Sequence, residues 1–208
     1  MFGTAHNVLS LAPLVRRVAA LALASAFVAS QADEADPSAG PAQAQRPLSP
    51  ELRPDGLFVQ IGAADEVLAG TVGAAWTLHG DRLRSGWGSY VEASLSRWHN
   101  RSGHPSDHAV LTQLGAIPVL RYRFAEGRSP WFVEGGIGAT VTSSVYESGE
   151  KHFSTAFNFG DHVGVGYAFG EAKRDEVALR FEHFSNGGIK HPNPGQNFVQ
   201  LRFAHAFR

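Results

Sequence analysis

A histidine and a serine two residues apart, His183 and Ser185, are well placed in this sequence for nucleophilic chemistry. On a β-strand such side chains point to the same face and their backbones lie about 7 Å apart, so an imidazole can reach a hydroxyl. Serine is a weak nucleophile until an adjacent base takes its proton. Asn186, Gly187 and Gly188 follow directly, and amide and backbone N–H groups are the usual donors of an oxyanion hole. The spacing predicts a nucleophile, its base and its oxyanion donors at one strand end.

A carboxylate from the preceding strand, Asp161, is predicted to join this cluster. Segments 154–169 and 175–185 both alternate as strands do, and a short turn near residue 172 joins them. Reflecting one strand onto the other about that turn brings residue 161 opposite residue 183. Asp161 can therefore orient the His183 ring and supply negative charge beside it.

The elements that position these residues are β-strands, because apolar residues alternate from residue 56 onward instead of recurring every three or four. Breaks rich in glycine, proline and asparagine separate the candidate strands, and long connections alternate with short ones over much of the chain. The segments are 56–64, 67–79, 84–98, 110–125, 130–145, 154–169, 175–185 and 197–207. The sequence predicts an all-β domain over 56–208, an eight-stranded antiparallel barrel of the outer-membrane type.

One face of these strands is apolar and the other is polar, and the last strand shows this difference most clearly. Val199, Leu201 and Phe203 lie on one face, while Gln200 and Arg202 lie on the other. A soluble barrel places its apolar face inside, whereas a membrane barrel places it toward lipid. In the membrane version six charged residues share the inward face and neutralise one another, and these are Arg121, Arg123, Glu134, Arg180, Glu182 and Arg202.

Three polar residues, Asp161, His183 and Ser185, then interrupt the apolar outward face. Polar groups cost free energy in lipid, and ionisable residues at membrane depth commonly mark functional sites. The plainer alternative is that polar residues near strand ends simply meet lipid headgroups. Convergence of three such residues on one patch favours a functional site.

Composition excludes several classes of protein. The chain has 208 residues, a net charge of −1 and no cysteine. A disulfide scaffold, a cysteine-ligated zinc site and a thiol nucleophile are excluded, and the charge does not favour a nucleic-acid partner. No apolar stretch reaches the length of about 18 residues that a spanning helix needs. A membrane β-barrel remains compatible with the sequence because its strands are only half apolar.

The N-terminal region is predicted to be a signal peptide over 1–32, followed by a flexible lead-in over 33–55. Arg16 and Arg17 precede an uninterrupted run of small apolar residues over 18–29, and small residues follow at the exit. This is the pattern of a secretory signal. Five of the eleven prolines lie within 33–55, where they oppose both helix and ladder pairing. An exported chain with an apolar outward face favours the membrane barrel over the soluble one.

The segment that contains these residues resembles the PagL family of outer-membrane lipid A 3-O-deacylases. The resemblance rests on His183-Phe184-Ser185-Asn186-Gly187, on Asn193 and on Phe159-Gly160-Asp161, and it extends more loosely over 56–208. It implies a serine-type ester hydrolase that removes the 3-O-linked acyl chain from lipid A of lipopolysaccharide, in the outer leaflet of a Gram-negative outer membrane. It further implies that His183 is the base, that Ser185 is the nucleophile, that Asn186 with Gly187 or Gly188 donates to the oxyanion, and that Asn193, Phe159 and Asp161 are supporting positions.

One position departs from the family pattern. The family's catalytic triad includes a glutamate near the start of the last strand, and Asn197 stands there with the outward parity. An amide orients an imidazole but does not stabilise imidazolium by charge, and replacing a triad Asp by Asn can cost about 10⁴-fold in turnover. Two candidates therefore remain for the third catalytic group, Asp161 and Asn197, and the reflected pairing favours Asp161.

Other functions remain open from sequence alone. A non-catalytic outer-membrane barrel, structural or adhesin-like, needs no polar patch on its lipid face, and the Asn197 departure fits it. A soluble periplasmic lipid-binding barrel is the third reading. The leading hypothesis needs no cofactor or metal, takes lipopolysaccharide as substrate and is compatible with a homodimer.

Overall fold

The eight predicted strands are present in the computed structural model, which describes residues 53–78, 86–101, 110–148 and 151–207. The long strands are β1 (Gly56–Ala64), β2 (Val67–Thr77), β3 (Trp87–Asn100), β4 (Val110–Arg123), β5 (Trp131–Thr142), β8 (Phe157–Phe169), β9 (Asp175–Ser185) and β10 (Gln196–Ala206). Two short strands, β6 (Glu147–Ser148) and β7 (Lys151–His152), form a hairpin between β5 and β8, and a 3-10 helix (Glu171–Lys173) joins β8 to β9. The hairpin was not predicted, because two-residue strands carry no alternating pattern.

The long strands close into one antiparallel barrel in the order β1-β10-β9-β8-β5-β4-β3-β2. Closure is direct, since β1 pairs with β2 on one side and with β10 on the other. Every long strand thus has two neighbours, which removes the exposed edge that invites aggregation. Within the described ranges, no helix is long and apolar enough to cross a membrane.

The predicted signal peptide, residues 1–32, and the lead-in up to residue 52 lie outside the described residues. Both assignments stay predictions.

Burial is inverted relative to a soluble barrel, as the alternation predicts. Large apolar side chains on the outer wall are exposed, for example Ile61 at 64% and Val163 at 64%, while Arg180 and Arg202 inside are each only 2% exposed. The outer wall therefore suits lipid, and the lumen is filled by polar and aromatic side chains. The membrane arrangement predicted for the two faces is confirmed.

Arg180 lies at the centre of the luminal charge network. Its guanidinium donates to Glu134 Oε1 at 2.8 Å, to Glu92 Oε2 at 2.9 Å and to the Tyr90 hydroxyl at 3.1 Å. Arg202 Nη2 donates to the same Glu92 at 2.7 Å, and Arg121 Nη2 donates to Glu134 at 2.7 Å. The network links β3, β4, β5, β9 and β10 across the lumen, so it ties together strands that are not neighbours in the sheet.

Glu182 does not take part in these ion pairs, which corrects the prediction that all six inward charges neutralise one another. Its carboxylate accepts hydrogen bonds from the amides of Gln60 and Gln200. The carboxylates that complete the pairing are Glu92 and Glu176, the latter facing Arg121 and Arg123. The sequence analysis missed both, because parity shows which face a residue takes but not its partner across the lumen.

An aromatic cluster closes the lumen at the end of the barrel where β3 and β9 end and where β4 and β10 begin. The Trp98 ring lies 4.8 Å from the Phe198 ring and 5.1 Å from the Phe184 ring, between centroids. Tyr146 and Phe153 from the β6–β7 segment pack against the same cluster. These contacts place Trp98, Phe184 and Phe198 at a common height along the barrel.

The luminal network is expected to be essential for stability. Replacing Arg180 by Met removes the donor shared by Glu92 and Glu134, and breaking a buried ion pair costs about 3–5 kcal/mol. Urea unfolding of the barrel refolded in lipid vesicles should show this loss in Arg180→Met. The matched control is Arg128→Met, since the Arg128 side chain is 75% exposed and pairs with an exposed Glu126; its effect should stay within about 0.5 kcal/mol. Equal midpoints for the two variants would contradict the assignment.

Candidate active site

The candidate residues lie on the outer wall near the aromatic end of the barrel, on three adjacent strands. In the register, Asp161 on β8 pairs with His183 on β9, and His183 pairs with Asn197 on β10. The predicted pairing of residue 161 with residue 183 is therefore confirmed. Phe159 pairs with Ser185, two residues nearer the end of the barrel at which β9 ends. The closed ladder thus assembles one lateral row of polar side chains from segments up to 36 positions apart in sequence.

Asn197 holds the His183 ring. The Nδ1 atom of His183 lies 2.6 Å from Asn197 Oδ1. Because an amide oxygen only accepts, Nδ1 carries the proton in this contact and Nε2 keeps its lone pair. This is the tautomer that a general base requires.

Asp161 is half-buried beside the same ring. Its carboxylate makes no hydrogen bond to His183 or to any other residue in the described part of the chain, although the register places the two residues directly opposite each other. The two candidates for the third group therefore occupy opposite sides of His183, one bonded to the ring and one not.

Ser185 lies on the same face as His183, two positions further along β9. The backbone N–H of Gly187 donates to its hydroxyl oxygen over 3.4 Å. Within residues 151–207 no hydrogen bond joins Ser185 to His183. Catalytic hydrogen bonds are commonly long or unformed without substrate and tighten in the reacting complex.

Asn186 organises the loop that follows the serine. Its side chain is 1% exposed, and its Nδ2 donates to Ser154 Oγ at 3.0 Å and to the Lys190 carbonyl at 2.8 Å. Its Oδ1 accepts from Gly188 N at 2.9 Å. Both ends of this amide are thus occupied, by Ser154 before β8 and by Lys190 and Gly188 of its own loop.

Asn193 completes the loop from the other side. Its Oδ1 accepts the Asn186 backbone N–H at 3.0 Å, and its Nδ2 has no partner among the residues that the structure describes. Gly187 and Gly188 both adopt positive φ, 64° and 82°, which favours glycine. The loop therefore places the Gly187 N–H beside the Ser185 hydroxyl and leaves the Asn193 Nδ2 without a partner among the described residues.

Gly195 is a site residue that the sequence analysis did not single out. It precedes β10 with φ 68°, and a Cβ placed there would lie 2.6 Å from His183 Cε1. The imidazole thus rests against bare backbone on this side while Asn197 holds Nδ1. The sequence signal was a glycine two residues before Asn197, but only the folded loop shows that it lies against His183.

No group of three or more histidine, aspartate or glutamate side chains suited to a metal ion occurs within the described ranges.

Gly195→Ala is expected to destabilise the barrel by about 2–4 kcal/mol, from left-handed backbone strain and from overpacking against the ring. Gly127→Ala is the matched control, because Gly127 has φ 86° and its added Cβ meets nothing nearer than 3.8 Å; strain alone should cost about 1–2 kcal/mol.

A double-mutant cycle isolates the contact with the ring. In a His183→Ala background, the cost of Gly195→Ala should fall to that of Gly127→Ala, because the clash is gone. An unchanged cost in that background would show that Gly195 does not act through His183. The measurement is the urea midpoint of each refolded variant.

Comparison with known proteins matches the chain to one family. A family model described as lipid A 3-O-deacylase (PagL) matches residues 70–206. A protein named lipid A deacylase PagL from Bordetella bronchiseptica is 37% identical over 134 residues, 63% of this chain and 71% of that protein. Its namesake from Pseudomonas aeruginosa is 31% identical over 120 residues, 58% of this chain and 63% of that protein. The crystal structure of the outer membrane enzyme PagL superposes with a TM-score of 0.61 at 26% identity, covering 72% of this chain and 98% of that one.

Proposed function

This chain belongs to the lipid A 3-O-deacylase (PagL) family, and we propose that Ser185 is its nucleophile and His183 its general base. The protein is an outer-membrane ester hydrolase that removes the 3-O-linked acyl chain from lipid A. The observation that carries the residue assignment is the contact of His183 Nδ1 with Asn197 Oδ1 on the outward face that also carries Ser185, which assigns the proton to Nδ1 and the role of base to Nε2. That face meets the acyl chains of the outer leaflet, where the ester lies.

The proposed reaction is acyl transfer through an acyl-enzyme. Ser185 Oγ attacks the ester carbonyl carbon while His183 Nε2 takes the hydroxyl proton. The tetrahedral intermediate collapses with cleavage of the bond between the carbonyl carbon and the sugar O3, and His183 returns the proton to that oxygen. Water, activated by the same imidazole, then attacks the acyl-serine and releases the fatty acid.

Oxyanion stabilisation is assigned to the loop after β9. The Gly187 N–H lies beside Ser185 Oγ, and the Nδ2 of Asn193 is available on the same loop. Asn186 and Gly188 hold the loop in shape through their mutual hydrogen bond. Donors that are fixed before the reaction stabilise the developing charge without reorganisation. Phe159, whose ring would lie 3.2 Å from a Cβ at Gly187, supplies an apolar wall beside the serine.

The third catalytic role is divided between two residues in this proposal. Asn197 fixes the ring and its tautomer, and Asp161 supplies the negative charge that an amide lacks. A carboxylate on the neighbouring strand stabilises an imidazolium by Coulomb attraction, which is stronger at a poorly screened surface than in water.

Ser185→Ala and His183→Ala should each abolish the loss of one hydroxy-acyl chain from lipid A while the barrel still folds. Because a nucleophile and its base act as a unit, the double variant should be scarcely worse than either single one. Mass spectrometry of lipid A extracted from an expressing outer membrane measures the reaction, and heat-modifiable gel migration checks folding. Deacylation that persists in Ser185→Ala would reject the serine.

Asp161→Asn should lower kcat by about 100-fold with little change in KM, since only the charged transition state loses stabilisation. Asn197→Ala should lower kcat through lost orientation, whereas Asn197→Glu should raise it by restoring the carboxylate typical of the family. If Asp161→Asn and Asn197→Glu both leave kcat unchanged, a His–Ser dyad suffices and the divided role is wrong.

A homodimer stays a prediction. Sedimentation equilibrium of the detergent-solubilised barrel would test it.

A further inference from the structure

A second group of polar residues interrupts the lipid-facing wall on the far side of the barrel. Arg97 and His99 on β3 and Thr112 on β4 carry the outward parity and extend outside among apolar neighbours. In the sheet order, β3 lies four strands from β9 in either direction, so this group and the active site are on opposite walls. We call it the β3–β4 cationic patch. Ionisable residues on a lipid-facing wall are costly unless a polar partner meets them.

The patch lies at the height of the active site. Trp98 points into the lumen and its ring contacts the rings of Phe184 and Phe198. Arg97 and His99 flank Trp98 as His183 and Ser185 flank Phe184. Because side chains alternate along a strand, the outward neighbours of residues that meet inside lie at about the same level. The patch therefore faces the depth at which lipid A joins its acyl chains to its phosphorylated sugars.

Arg97 is held in position without being neutralised. Its Nη1 donates to Thr112 Oγ1 at 2.5 Å, across a direct register pair. No carboxylate pairs with Arg97 among the described residues, in contrast to Arg121, Arg123, Arg180 and Arg202 inside the barrel. One oriented guanidinium thus keeps donors free toward the membrane.

An apolar surface lies directly below the cation. Leu95 and Leu114 form the next outward pair toward the membrane centre and are 44% and 56% exposed. A guanidinium above an apolar wall matches a ligand with a phosphate above acyl chains, and Arg binds phosphate through two-pronged charge-assisted hydrogen bonds.

We propose that the β3–β4 cationic patch binds the phosphate of a second lipid A molecule, which is held on the wall and not cleaved. Arg97 and His99 donate to the phosphate, Thr112 fixes the guanidinium, and Leu95 and Leu114 contact the acyl chains. The depth assigned to the patch rests on the proposed active site, because the two groups lie at one height. The lipid contacts rest on Arg97 and its bond to Thr112, so Arg97→Gln tests binding at the patch and Ser185→Ala tests the catalytic assignment.

Native mass spectrometry of the refolded full chain with 3-O-deacylated lipid A, which the enzyme no longer cleaves, tests the proposal. The wild-type barrel should retain up to two lipid A molecules, and Arg97→Gln should retain one, with binding at the patch about ten-fold weaker. Thr112→Val should weaken binding in the same sense by a smaller factor. Arg128→Gln, which removes an exposed arginine at the opposite end of the barrel, should leave both molecules bound.

Binding measurements with two further lipids test which ligand the patch recognises. Lipid A stripped of its phosphates should bind the patch weakly, and equally in wild type and Arg97→Gln. The binding of phosphatidylglycerol should not change between wild type and Arg97→Gln. The proposal is overturned if wild type and Arg97→Gln retain lipid A equally. It is also overturned if Arg97→Gln weakens the binding of phosphatidylglycerol as much as it weakens the binding of lipid A. Deacylation by Arg97→Gln should stay within two-fold of wild type; a larger loss would place Arg97 in the catalytic machinery instead.

Discussion

Each side chain of a closed β-ladder faces either the lumen or the membrane, and this constraint governs the rest of the structure. Lipid offers no hydrogen bonds, so the outer wall is apolar and the charged residues of the strands are placed inside. Charges that are buried inside the barrel are costly unless they pair with one another. Arg180, shared by Glu92 and Glu134, is the centre of that pairing. The enzyme therefore has a polar core and an apolar surface.

The proposed active site is an exception to this rule. Asp161, His183, Ser185 and Asn197 lie outward, where the surrounding wall is apolar and poorly screened. Charge on the imidazole interacts more strongly there than in water, so a carboxylate can act without a direct hydrogen bond. A site on the wall also receives a lipid substrate from the side, without requiring it to leave the leaflet.

Rigid strands and a glycine-rich loop have different roles in this site. The ladder fixes the lateral row of Asp161, His183 and Asn197, whereas the loop after Ser185 places the Gly187 N–H beside the serine hydroxyl. Gly195 lies at the end of the loop, where its lack of a side chain leaves room for the His183 ring of the strand row. The luminal aromatic rings of Trp98, Phe184 and Phe198 set the height of both polar groups on the wall.

The sequence by itself determined the barrel and the outward face, including the outward placement of His183 and Ser185, because period-two alternation survives in a strand whatever its neighbours are. It also placed Asp161 opposite His183, since a short turn fixes the register of adjacent strands. Contacts that cross the lumen or follow a long loop were decided only by tertiary structure. Glu92 and Glu176 pair with arginines on distant strands, Asn186 turns its amide into the loop, and Asn197 rather than Asp161 bonds His183. Parity assigns a face to each of these residues, but the choice of partner depends on barrel closure and on the path of the ten residues between β9 and β10, which no local pattern encodes.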